Sequence, residues 1–206
     1  MTPEIIYEDS HIIVCRKPAG IPTQSGRIGT PDMVSILKNH LAAQRKNPYL
    51  AVIHRLDQPV EGLLVFAKTP SAARDLNRQL TSSGFGKYYR AIVTGVSSPL
   101  EGTLEDHMVK DSRGNVSRIC SPETPGAKLA RLHYKVIESC EDTALVEIHL
   151  DTGRHHQIRL QMSHMGHPLA GDRKYGIPDS AEKLQLCAFR LEFTHPITGK
   201  ELRFEL

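Results

Sequence analysis

Tryptophan is absent from this sequence, and aromatic residues make up only 5% of it. Any surface that stacks on bases must therefore rely on Tyr, Phe, His or Arg. The four cysteines, Cys15, Cys120, Cys140 and Cys187, stand far apart and form no Cys-x-x-Cys pair. That spacing argues against a zinc ribbon and against a disulfide framework. No apolar run approaches the length of a membrane span. The opening Met-Thr-Pro-Glu-Ile-Ile-Tyr lacks the basic and then apolar pattern of a secretory signal. These absences leave a reducing cytoplasm, away from membranes, as the expected setting. A Walker loop, a Gly-x-Gly-x-x-Gly turn and a nucleophile elbow are missing too. Chemistry driven by a nucleotide or a dinucleotide is therefore not expected.

What is present suits a folded domain. A chain of 206 residues can bury a core without disulfide or metal staples. Hydrophobic residues at 39% and charged residues at 24% are ordinary for a globular protein. The net charge is only +3 but is uneven. Positions 108 to 135 hold six Lys or Arg against two acids, and positions 154 to 174 hold four Lys or Arg and four His against one acid. Local patches of this kind matter more than totals for a polyanionic partner, although solvated faces produce them as well.

Periodicity and breakers divide the chain. Glu4 to Tyr7 and His11 to Arg16 read as strands around a polar turn. Thr30-Pro31-Asp32 reads as a helix start, with Thr30 as cap. Leu50 to Ile53 and Gly62 to Lys68 read as strands. Thr69-Pro70 starts a second helix with a stripe of Ala72, Ala73, Leu76 and Leu80, closed by Ser83-Gly84. Strands are expected at 87–94, near 102–109 and 116–119, and at 129–137, 144–150, 184–193 and 201–206. A third helix is expected over 156–165, stopped by Gly166. Many strands, about three helices and no regular β-α-β alternation predict an α+β fold with a mixed, largely antiparallel sheet.

Three stretches could carry chemistry. His54-Arg55-Leu56-Asp57 lies in a polar loop that runs into a buried strand, which suits Asp57 to be a held catalytic carboxylate. A turn-capping aspartate would look the same. Thr152-Gly153-Arg154-His155-His156-Gln157-Ile158-Arg159 opens a helix whose first N–H groups suit an anion. Arg159, in its first turns, could reach a carboxylate on a facing loop. The histidines at 155, 156, 164 and 167 have poor metal spacing, because neighbouring His155 and His156 are expected to point apart. In Lys87-Tyr88-Tyr89-Arg90-Ala91, Lys87 and Tyr89 share one sheet face and Tyr88 and Arg90 the other. Tyr89 could stack on a base, exchange a proton or simply pack.

Taken together and in order, these segments resemble the RluA-type family of pseudouridine synthases over nearly the whole chain. Tyr7-Glu8-Asp9 with Lys17-Pro18-Ala19-Gly20 is similar to the family's opening. His54-Arg55-Leu56-Asp57 with Gly62-Leu63-Leu64 and Ala67-Lys68 is similar to its signature. Lys87, Tyr89, Ala91 and Gly95 match a further segment. Thr152-Gly153-Arg154, His156-Gln157-Ile158-Arg159, Gly166-His167-Pro168, Gly171-Asp172 and Tyr175-Gly176 match its third block. Val60-Glu61 departs from the usual Thr-Ser, and an extra carboxylate there would raise the Asp57 pKa if it faced the cleft. His155 and Gln161 depart as well. The resemblance implies one catalytic domain over 1–206, without the N-terminal RNA-binding domain that many members carry.

It further implies isomerisation of a uridine in ribosomal or transfer RNA, without cofactor or metal, by a monomer that needs no protein partner. Asp57 would be the catalytic carboxylate, Arg159 would keep it ionised and Tyr89 would pack on the uracil. His54, Arg55, Arg154, His156 and Gln157 would hold the RNA, with Arg55 placed to fill the gap left by a flipped nucleotide. A non-catalytic RNA-binding module on the same fold is one alternative. A metal-dependent hydrolase is another, weakened by the ligand spacing.

Overall fold

The computed structural model describes residues 2–26, 29–43, 47–82, 84–95, 99–177 and 181–206. They form two compact units, one of Met1–Lys87 with Ala188–Leu206 and one of Tyr88–Cys187. The expected helix-closing Ser83 lies outside the described residues.

The first unit is a sheet with two helices. Strands β1 (Glu4–Glu8), β2 (Ile12–Lys17), β4 (Glu61–Ala67) and β10 (Leu186–Thr194) lie in that order, with β3 (Ala51–Val52) on β4 and β11 (Glu201–Glu205) on β10. The register sets Lys17 opposite Gly62 and Ile12 opposite Ala67, antiparallel. β2 and β4 are apolar along almost their whole length because both faces are covered. Ile12, Val14, Leu63, Val65, Leu76, Leu191 and Phe193 belong to one core cluster. Each such side chain contributes about 1.5–3 kcal/mol on burial. Gly62 has φ +128, and a Cβ there would meet the Ala188 carbonyl oxygen at 2.3 Å. Only glycine allows β4 and β10 to approach this closely at that point.

Helix α1 (Met33–Ala42) begins two residues later than the sequence suggests. Asp32 is its cap, because its carboxylate accepts from Ser35 N while Ser35 closes a reciprocal box. Thr30 lies before the cap. Helix α2 (Pro70–Thr81) starts as expected, with Thr69 capping Ala72 N and Pro70 in the first position. Its inner face differs in one residue: Gln79 is buried and Leu80 only partly so. The Gln79 amide clamps both backbone groups of Thr194, at 2.8 and 2.9 Å.

In the second unit the strand order is β5 (Phe85–Thr94, continuing from the first unit), β9 (Thr143–Leu150), β8 (Lys128–Cys140), β6 (Glu101–Asp111) and β7 (Val116–Ile119), all antiparallel. β5 and β9 alternate buried and exposed residues, the mark of a sheet covered on one face. Tyr89 and Ala91 point inward while Arg90 and Ile92 point outward. Helix α3 (Gln157–His164) is followed by Gly166 at φ +92, a left-handed stop. The class is α+β, as the breakers and alternation imply.

Candidate active site

Asp57 sits in the loop between β3 and β4 with its side chain partly exposed. The loop is fixed at the residues on either side of it. Thr23 Oγ1 donates to Leu56 O at 2.9 Å and accepts from Leu56 N at 3.0 Å. Gln58 O accepts from Gly20 N at 2.8 Å, and the Gln58 amide donates to Gly20 O at 3.0 Å. Val60 N closes a turn onto Asp57 O at 3.0 Å. A carboxylate on such a pinned backbone has little conformational freedom to lose on reaction.

Lys17 completes the clamp. Its side chain is wholly buried, and its ammonium donates to Pro18 O, Ile21 O and Gln58 O at 3.0, 2.6 and 3.1 Å. Burial pulls its pKa down to about 8, against the carboxylates of Asp57 and Glu61, which favour the charged form. Glu61 itself pairs with Arg16 at 3.4 Å.

His54, expected to help hold the RNA, lies inside the fold. Its ring is buried, accepts from Val65 N at 3.3 Å and stands edge-on to Phe85 at 5.5 Å. Burial, followed by the charge of Lys87, holds its pKa down at about 3. It is a neutral core histidine that supports the loop. Arg55, by contrast, is exposed, as a cation that grips a polyanion must be.

In the second unit the Thr152–Arg159 stretch folds tightly. Gly153 was the expected bend, but the left-handed residue is His156, at φ 56 and ψ 25. A non-glycine residue in that region is strained and persists only when its surroundings hold it. Here the Tyr175 hydroxyl bonds His156 Nδ1 at 2.8 Å. The same twist stacks the rings of His155 and His156 at 3.7 Å, where the sequence suggested that they point apart. Burial, then Arg159, His155 and Lys174, bring the His156 pKa down to about 3, while Asp172 opposes them.

Gln157, also expected at the RNA, is buried. Only 3% exposed, its Oε1 accepts from Thr152 Oγ1 and Arg154 N, and its Nε2 donates to Arg131 O. Its amide clasps the turn. Arg154 is half-buried, with Nε donating to Leu129 O at 2.7 Å. Tyr89 is 7% exposed and faces Ile148 across the strand pair.

Arg159 is buried and holds Asp172 at two points, Nε to Oδ2 at 2.7 Å and Nη2 to Oδ1 at 2.6 Å. Burial alone would raise the Asp172 pKa, but Arg159 and the backbone N–H groups of Lys174 and Tyr175 outweigh it and the pKa is lowered. The role of Asp172 was not evident from its place in the motif, nor were those of Thr23 and Tyr175. The one available signal for Asp172 was an unpaired acid in a stretch otherwise basic. The expected patch at 108–135 is partly neutralised, since Arg131 pairs with Asp151 at 3.3 Å and Lys135 with Glu101 at 3.5 Å. Among the described residues, no three His, Cys, Asp or Glu side chains are grouped as metal ligands.

Comparison with known proteins bears on this geometry. Residues 11–164 match the family described as RNA pseudouridylate synthase. The chain is 36% identical to the dual-specificity RNA pseudouridine synthase RluA of Salmonella typhimurium, over 98% of this chain and 91% of that protein. It is 37% identical to ribosomal large subunit pseudouridine synthase D of Nitrosomonas europaea, over 98% of this chain and 61% of that one. The chain thus spans about three-fifths of that relative's length and of its Neisseria meningitidis counterpart's. Among solved structures, human RNA pseudouridylate synthase domain containing 4 shares the fold at TM-score 0.82 and 23% identity, over 98% of this chain and 87% of that one. With a family match over well more than half its length and a relative of similar size at this identity, the chain belongs to the RNA pseudouridylate synthase family.

Proposed function

We propose that this chain isomerises a uridine in structured RNA, ribosomal or transfer, to pseudouridine, with Asp57 as the catalytic carboxylate. The observation that carries this reading is the pinned loop. In a member of this family, a partly exposed Asp57 is held by backbone bonds at Leu56 and Gln58. The glycosidic bond from ribose C1′ to uracil N1 breaks and a bond from C1′ to C5 forms. The C5 proton leaves and N1 gains one, so the product is an isomer and nothing is oxidised, reduced or hydrolysed. Asp57 must be ionised to act as nucleophile or base.

Tyr89 and Arg159 serve the same reaction, Tyr89 packing on the uracil. A stacked uridine must flip out to be reached, and exposed Arg55 is the side chain suited to the vacated space. The strained turn at His156 and the half-buried Arg154 belong to the RNA-facing part of the reading. The reaction is expected to need no cofactor, metal or protein partner, with the protein a cytoplasmic monomer. A non-catalytic RNA-binding role is the competing reading, and turnover separates the two. Incubating the protein with unmodified ribosomal and transfer RNA and mapping pseudouridine tests the proposal. New pseudouridine at a defined site supports it, and binding without any product supports the alternative.

A further inference from the structure

We propose that Tyr175 is a positioning residue that ties the β6–β7 hairpin to Arg159, so that one side chain sets both the RNA-facing hairpin and the guanidinium. The proposal rests on the functional reading in one respect, that Arg159 serves the reaction.

Tyr175 uses every part of itself. Its hydroxyl accepts from Ser117 N in β7 at 2.6 Å and bonds His156 Nδ1 at 2.8 Å. Its ring lies beneath Arg159, with the guanidinium carbon 5.3 Å from the ring centre. Its backbone N–H donates to Asp172 Oδ1 at 3.2 Å, and its carbonyl accepts from Ser163 Oγ in α3 at 2.7 Å. The Arg159–Asp172 pair is therefore packed from one side by the ring and braced from another by the same residue's backbone.

A phenol oxygen can accept as well as donate. With Ser117 N–H and His156 Nδ1 both bonded to it, the Tyr175 oxygen joins β7 to the start of α3. Ser117 is fastened a second time, its Oγ lying 2.9 Å from both the His155 carbonyl oxygen and His155 Nδ1. Asn115, in the hairpin turn, meets His155 Nε2 at 3.1 Å. The hairpin is thus docked on the start of α3 mainly through Tyr175 and His155.

The docked element is basic. Lys110, Arg113 and Arg118 are exposed on it, with Asp111 as the acid among them. Three outward cations on a short hairpin suit an RNA phosphate backbone. A hairpin swung away by loss of the Tyr175 hydroxyl would carry those cations with it, whereas loss of the ring would also uncover one face of the Arg159 guanidinium, which Asp172 would still hold at two points.

Two variants separate these parts. Tyr175→Phe deletes the hydroxyl and keeps the ring, whereas Tyr175→Leu deletes both. With an in vitro transcribed RNA carrying the mapped uridine, Tyr175→Phe should raise KM about tenfold, the effect of losing one to two hydrogen bonds, with kcat falling less than about threefold. Tyr175→Leu should lower kcat by about a further tenfold, as the cation loses its ring. Imidazole nitrogen NMR gives a readout free of turnover. In the wild type His156 Nδ1 should report a hydrogen-bonded nitrogen, and in Tyr175→Phe that signal should shift. Unchanged KM together with an unchanged His156 signal in Tyr175→Phe would overturn the proposal. So would kcat and KM moving in step with melting temperature in both variants, which would make Tyr175 a folding residue only. A wild-type protein that makes no pseudouridine would refute the functional reading instead, and the His156 signal would still decide the linkage.

Discussion

Arg159 and Asp172 form a two-point ion pair in which the side chains are only 5% and 0% exposed. Both partners have left water, so neither tolerates the loss of the other. Removing one member of such a pair costs about 3–5 kcal/mol, because a buried charge is left uncompensated. Asp172→Asn and Arg159→Met should each destabilise the protein on that scale in urea melts. The Asp172→Leu, Arg159→Met double variant should lose clearly less than the sum of the corresponding single changes. Strict additivity would mean that the pair is energetically idle.

Thr23 supports the Asp57 loop through one hydroxyl that serves both backbone groups of Leu56. Thr23→Val keeps the shape and removes both bonds at a position only 1% exposed. The expected cost is about 1–3 kcal/mol for each polar group left unsatisfied. Turnover should fall more than melting temperature alone explains, because Asp57 loses its fixed backbone. Comparing kcat at a temperature well below both melts checks this.

Acid should unfold the protein earlier than its carboxylates alone require. His54 and His156 titrate near pH 3 in the folded chain, against about 6.5 when unfolded. Between those values the unfolded state binds more protons, so stability is full above pH 6.5 and is lost as pH falls towards 3. Each histidine contributes a slope of about 1.4 kcal/mol per pH unit in that window. Urea melts at pH 7, 6 and 5 should show it, and His54→Phe should remove about one proton from the uptake on unfolding at pH 5. An unchanged uptake would mean that His54 is already charged in the folded state.

Much of this was legible in the sequence. Thr69-Pro70 marked α2 because cap and first-turn proline are local signals, and Val116–Ile119 emerged as β7 with the bounds expected. Asp57 and Arg159 stood out by motif. The parts that escaped depend on distance along the chain. Thr23 meets Leu56 across 33 residues, Tyr175 meets Ser117 across 58, and Arg159 meets Asp172 across 13. No period or breaker encodes such pairings. The α1 cap was missed by two residues because Thr30 and Asp32 are both good caps, and the Ser35 box decides between them. His54 and Gln157 were placed on the RNA because their motifs are polar. Both are buried: His54 Nε2 accepts from Val65 N while its Nδ1 has no hydrogen-bond partner among the described residues, and the Gln157 amide bonds Thr152, Arg154 and Arg131.

Prolonged dialysis against a chelator should leave turnover intact, provided the RNA is refolded with its own magnesium before assay. The expectation follows from an isomerisation that balances without a redox partner or hydrolytic water. Activity that returned only after zinc was restored to the protein would contradict it.

The central claim is that Asp57 performs chemistry and does not merely cap its turn. Its carbonyl, not its side chain, accepts the Val60 N–H, so Asp57→Asn leaves that turn bond in place. The decisive measurement is single-turnover pseudouridine formation by purified wild type and Asp57→Asn on the same RNA, with circular dichroism and melting recorded in parallel. The account predicts unchanged folding and RNA binding with no detectable product from the Asn variant. Product at a rate near the wild type's would contradict it.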